Sequence, residues 1–123
     1  MHKHTAKEYH IFDLVYRINI VLVVGCREAS TKLIKEIYEV DFDLNIDEGA
    51  PGYTEMLNGN IFVWLGKFDN TPDSYSNFTH EMFHAMTYAL DSRGVKFSVH
   101  NDEPHAYYLG FLIREFLTKL KAK

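Results

Sequence analysis

The chain has 123 residues and a formal charge of −4 at pH 7, with 46% hydrophobic and 24% charged residues and only 7 Gly and 3 Pro. That composition excludes disordered, collagenous and low-complexity chains, and the length permits one hydrophobic core, so residues 1–123 are read as a single domain. The acidic balance and the absence of a long basic run argue against nucleic acid as a partner, and no apolar run approaches the ~18 residues of a membrane span.

Residues 9–24 are rich in Val, Ile, Tyr and Phe, first alternating and then nearly continuous, which predicts one or two strands that become buried on both faces. Ile18 to Val24 followed by Gly25-Cys26 has the outline of a lipoprotein signal. Asn19 interrupts it, however, and Glu8 and Asp13 precede it where such a signal carries positive charge, so a buried strand is expected. Cys26 is the one cysteine, which excludes an internal disulfide and fits a reducing compartment. With no basic neighbour pattern around it, it reads as a small buried residue rather than a nucleophile.

Ala29, Leu33, Ile34, Ile37 and Tyr38 recur at helical spacing and predict a first amphipathic helix. Asp41 to Gly52 is polar and turn-rich and predicts a surface loop. Asn58-Gly59, suited to the positive backbone angles of a tight hairpin, lies between two short strand-like runs, the second being Asn60 to Leu65 with the sole tryptophan, Trp64.

After a second loop with Asn70, Pro72 and Asp73 a strong helix is expected, with Tyr75, Phe78, Met82, Ala85, Met86 and Ala89 on one apolar stripe and Asp91 to Gly94 ending it. The acceptor-like triplet Asn77-Phe78-Thr79 falls inside it and is given no role. A last helix is predicted from about Asp102 to Leu120, with Asn101 as its cap and Pro104 in its first turn. Apolar residues cover most of its circumference, which predicts a central position in the packing. Its basic tail, Lys119, Lys121 and Lys123, complements the helix dipole. The order of elements predicts an α+β fold, a small mixed sheet packed against helices.

Seven histidines in a short acidic chain are the compositional oddity. His80-Glu81-Met82-Phe83-His84 is an H-E-x-x-H motif inside the strongest helical segment. Residues four apart lie one turn above each other, so two imidazoles can reach one ion at about 2.0–2.1 Å. At 100° per residue, His80 and His84 project together with Thr87 and Asp91, away from the apolar stripe and toward a cleft. A catalytic zinc takes three protein ligands and keeps an open position. Glu103 follows His84 with 18 residues between them, at the start of the next helix.

This spacing resembles the gluzincin class of zinc metallopeptidases: H-E-x-x-H, a connection of about this length, and a glutamate on a following helix. The segments 79–85 and 101–107 are also similar to small zincin-like proteins of phages and prophages. The metzincin pattern does not fit, because Thr87 and Leu90 stand where its glycine and third histidine belong. The resemblance implies a minimal zincin-like domain in a bacterial or phage-infected cytoplasm, with an active-site helix and a C-terminal helix against the sheet. It implies Zn2+ held by His80, His84 and Glu103, with Asp102 a rival third ligand, and Glu81 as general base for attack of zinc-bound water on a peptide bond of a peptide or protein substrate.

Thermolysin-like members carry an aspartate four residues beyond the ligand glutamate, where this chain has Tyr107. Tyr107 is the candidate to stabilise the developing oxyanion. His105, two residues from Glu103, is expected at the surface or, less directly, in that same role. Zincins hold substrate along an edge strand, for which Asn60 to Leu65 is the candidate, and Trp64 is read as core. His2, His4, His10 and His100 are given no role. The departures, and a length too short for a second lobe, also admit an alternative: a non-catalytic zincin-fold binding protein, a regulatory or interaction module, with a structural or vestigial zinc site.

Overall fold

The computed structural model of the chain describes residues 5–41, 44 and 49–122. Its elements are β1 (Ala6–Asp13), β2 (Ile18–Gly25), α1 (Arg27–Tyr38), β3 (Gly52–Leu57), β4 (Asn60–Leu65), α2 (Pro72–Ser92) and α3 (Glu103–Lys121). Half of the expected loop at Asp41 to Gly52 lies outside the described residues, as do His2 and His4; Leu44 within it is buried.

The four strands form one mixed sheet in the order β1-β2-β4-β3, so the fold is α+β. β1 and β2 are antiparallel, β2 and β4 run parallel, and β3 and β4 are antiparallel around the Asn58-Gly59 turn. Both turn residues have positive φ, 53° and 79°, the conformation in which a two-residue hairpin matches strand twist and which Asn and Gly tolerate best. Between β1 and β2, the buried Asp13 carboxylate accepts from the backbone amides of Val15 (2.9 Å) and Tyr16 (3.3 Å), closing the turn.

Period-two alternation sorts the side chains onto two faces. Ile18, Ile20, Leu22, Ile61, Val63 and Leu65 face one core with Phe78, Met82, Ala85 and Met86 of α2 and Leu112 and Phe116 of α3. Val21, Val23, Phe62 and Trp64 face the other, under Ile34 of α1. The sheet is thus covered on both sides, which is why β2 and β4 read as nearly unbroken apolar runs. The Trp64 indole is core and donates Nε1–H to the Gly25 carbonyl at 3.0 Å.

The structure corrects the edge-strand assignment. Asn60–Leu65 is an interior strand, hydrogen-bonded on both sides, and the edge beside α2 is β3. It also corrects the last helix. The N-cap is Asp102 rather than Asn101 and makes no side-chain capping bond. The helix fully buries one stripe, His105, Tyr108, Leu112 and Phe116, and packs Leu109, Phe111, Ile113, Leu117 and Leu120, partly buried, against the same core. Cys26 is half-buried at the N-cap of α1. No helix among the described residues is long and apolar enough to cross a membrane.

Candidate metal centre

α2 is held in phase at its start. Thr71, extended at the N-cap, accepts from the Ser74 amide at 3.2 Å, and Pro72 fills a position whose amide needs no partner. Asp69 Oδ1 accepts from the hydroxyls of Thr71 (2.7 Å) and Ser74 (2.5 Å). These bonds hold its carboxyl well below the usual carboxylate range. At the other end Arg93 donates Nε–H to the Tyr16 carbonyl at 2.8 Å and a second N–H to that of Arg17 at 3.1 Å, fastening the helix to the β1–β2 turn.

With the helix so fixed, Phe78, Met82, Ala85, Met86 and Ala89 point into the core, and His80 and His84 stand exposed one turn apart. Their Nε2 atoms are 3.1 Å from each other, with the rings near perpendicular at 75°. Two nitrogens bound to one tetrahedral ion at 2.0–2.1 Å lie about 3.3 Å apart. The pair is therefore spaced, within a few tenths of an ångström, as two donors to a single divalent cation.

Glu81 turns the other way, toward the sheet edge, and is buried at 5% exposure. An ionisable side chain this deep needs a partner. Thr54 of β3 supplies it, donating its hydroxyl to Glu81 Oε1 at 2.7 Å. The other carboxylate oxygen, Oε2, is 4.0 Å from His80 Nε2. Glu81 fits because β3 has glycine where it passes the carboxylate. A Cβ on Gly52 would lie 2.9 Å from Glu81 Cγ and 2.8 Å from the Trp64 carbonyl oxygen. Gly52, Tyr53, Thr54, His80, Glu81, His84 and Tyr88 line one open pocket of about 290 Å³ between the edge strand and α2. Its Tyr53 hydroxyl donates to Glu55 Oε1 at 3.2 Å, and partial burial together with that acidic neighbour raises the phenol's pKa.

The remaining sequence candidates are distributed differently. Glu103 is exposed at the first position of α3, and among the described residues no three His, Cys, Asp or Glu side chains converge on one point. Asp102 is likewise exposed. Tyr107 is 76% exposed and lines a separate groove with Asp13, Val15, Tyr16 and Pro104, not the pocket that holds Glu81. His105, expected at the surface, is buried at 4% exposure. His10 is exposed, 3.6 Å from Glu8, and His100 is exposed ahead of α3. Sequence reasoning missed Gly52 and Thr54, whose part depends on strand pairing rather than on a local motif.

Searches against family models, curated proteins and solved structures return no match to this chain.

Proposed function

We propose that the chain is a zinc-dependent metallopeptidase of minimal zincin-like build, acting on a peptide or protein substrate. The observation that carries this reading is the joint placement of two histidine nitrogens 3.1 Å apart and a buried glutamate between them in sequence, all on one pocket beside β3, the end strand of the sheet. His80 and His84 are the proposed first two ligands, and Glu103, at the start of α3, is the proposed third. Bound there, zinc supplies Lewis acidity that brings the pKa of a coordinated water toward ~7.

The rest is the work of the chain's own groups. Thr54 holds Glu81 Oε1, so the carboxylate is presented with Oε2 as its free base. Oε2 takes the proton given up by the attacking water and passes it to the amine nitrogen as the C–N bond breaks, so one carboxylate serves as base and then acid. The outer side of β3, which pairs with no other strand among the described residues, offers its backbone to an extended substrate by strand addition, which brings its carbonyl over the pocket.

Metal analysis of the wild-type chain should find one zinc per molecule, and His84→Ala should lose it. A Glu81→Gln chain should keep its zinc and cleave none of the peptides that wild type cuts in a mixed peptide library read by mass spectrometry. The non-catalytic binding module draws on a specific feature, the exposed Glu103 standing clear of the histidine pair. Zinc bound equally by wild type and Glu81→Gln, with no peptide cut by either, would favour that module.

A further inference from the structure

The pocket that holds Glu81 adjoins a second cavity of about 370 Å³, and the two share His84 and Tyr88 in their linings. Asp91 of α2 and Val95 and Phe97 of the connection to α3 also line this second cavity. Its rings are left open to solvent, Tyr88 at 42% and Phe97 at 62% exposure. Asp91 is the one carboxylate in the lining, and no hydrogen bond or ion pair engages it among the described residues. Arg93, two residues away, directs its guanidinium to the carbonyls of Tyr16 and Arg17 instead. Asp91 also stands in the last turn of α2, where the helix dipole disfavours negative charge, and that turn holds no basic residue to offset it. Nothing in the bonding of the fold accounts for an acid at that position.

We propose that this second cavity is a side-chain subsite, and that Asp91 selects substrates carrying lysine or arginine next to the scissile bond. The inference rests on the peptidase reading above and names its substrate class. His84 and Asp91 are seven residues apart, close to two whole turns, so they share one face of α2 about 10.5 Å apart along its axis. A lysine or arginine stem spans about 6 Å from its Cα. A residue with its backbone over the Glu81 pocket therefore places its charged head at Asp91. The apolar stem packs on Tyr88, Val95 and Phe97, while the cation meets the carboxylate, the two rings and the negative end of the helix dipole. A neutral side chain of equal length keeps the packing and loses the charge pair, and an acidic one is repelled. An exposed ion pair and a cation–π contact are each modest, so selection of about tenfold over the neutral side chain is expected.

Two measurements on the full chain separate the subsite from the activity. The metal-free chain is titrated with acetyl-Ala-Arg-Ala-amide and with its norleucine counterpart, followed by amide NMR shifts. The arginine peptide should move the amides of Tyr88, Asp91 and Phe97 and bind about tenfold tighter, and Asp91→Asn should bring the two peptides within about threefold of each other. The zinc-loaded chain is then given a mixed peptide library. Wild type should cut beside lysine or arginine, Asp91→Asn should lose most of that preference, and Asp91→Lys should turn it toward acidic residues. Cleavage with no basic preference, or with one that survives Asp91→Asn, overturns the inference and leaves the peptidase reading intact. Binding of the arginine peptide that depends on Asp91, with no peptide cut, upholds the cation subsite and overturns the peptidase reading. No cleavage and no discrimination in binding overturn both. An unpaired acid at a helix C-terminus is unfavourable, so Asp91→Asn should melt at or above wild type, and lost selectivity then cannot come from unfolding.

Discussion

The Thr54 hydroxyl on the edge strand donates to Glu81 Oε1 on α2 across 2.7 Å, and both side chains are buried. A single β-branched residue therefore both orients the carboxylate and offsets its desolvation. Replacing it with the near-isosteric valine leaves the carboxylate without that bond, at a cost of about 1–3 kcal/mol. Thr54→Val should lower the melting temperature and reduce peptide cleavage, whereas Thr54→Ser should restore most of both. Thermal melts and cleavage rates of the two variants test this. A serine form that loses as much as the valine form would show that the methyl group matters as much as the hydroxyl.

Gly52 has ordinary backbone angles, so its value is space alone. An added methyl meets the Trp64 carbonyl oxygen on one side and Glu81 Cγ on the other, both inside 3 Å. The carbonyl belongs to the interior strand β4 and yields little, so the side chain of Glu81 must move. Gly52→Ala is expected to cost about 1–3 kcal/mol as an overpacking change. It should also reduce cleavage while leaving zinc affinity within about threefold, because Glu81 is no zinc ligand in the proposed scheme. Zinc affinity falling in parallel with cleavage would contradict that division of labour.

The histidine pair and its helix were legible in the sequence because both are local. The apolar stripe from Tyr75 to Ala89 fixes the helix phase, and the phase places His80 and His84 together. The hairpin was legible from Asn58-Gly59 for the same reason. The identity of the edge strand is non-local, yet a signal for it existed: Ile61 to Leu65 is apolar without a break, the mark of an interior strand, whereas Gly52 to Leu57 is broken by Thr54 and Glu55. The burial of His105 was legible as well: it stands three residues before Tyr108, on the same face as the stripe Tyr108, Leu112 and Phe116.

Tyr107 tests how far sequence spacing alone can be carried. It stands one turn beyond Glu103, but its ring is largely exposed on the groove bordered by the β1–β2 turn. Tyr107→Phe removes only a hydroxyl there, so cleavage by the zinc-loaded chain should stay within about twofold of wild type. A kcat reduced a hundredfold or more with KM unchanged would bring the phenol into the transition state and require α3 to rotate on binding substrate.

Asp69 makes the start of α2 sensitive to acid. Its carboxylate takes the Thr71 and Ser74 hydroxyls, which depress its pKa in the folded chain. A group whose folded pKa is depressed contributes stability above its unfolded pKa, about 3.9 for aspartate, and loses that contribution as pH falls toward the folded value. Asp69→Asn should therefore melt below wild type at pH 7, with the gap between them closing progressively under about pH 4. The same substitution loosens the turn that sets the phase of α2, so it should weaken zinc binding at pH 7 by less than direct loss of His84 does. Parallel melts of both chains from pH 7 down to pH 2 test the sign. A gap that stays constant throughout would show that the asparagine side chain fails for reasons of shape rather than charge.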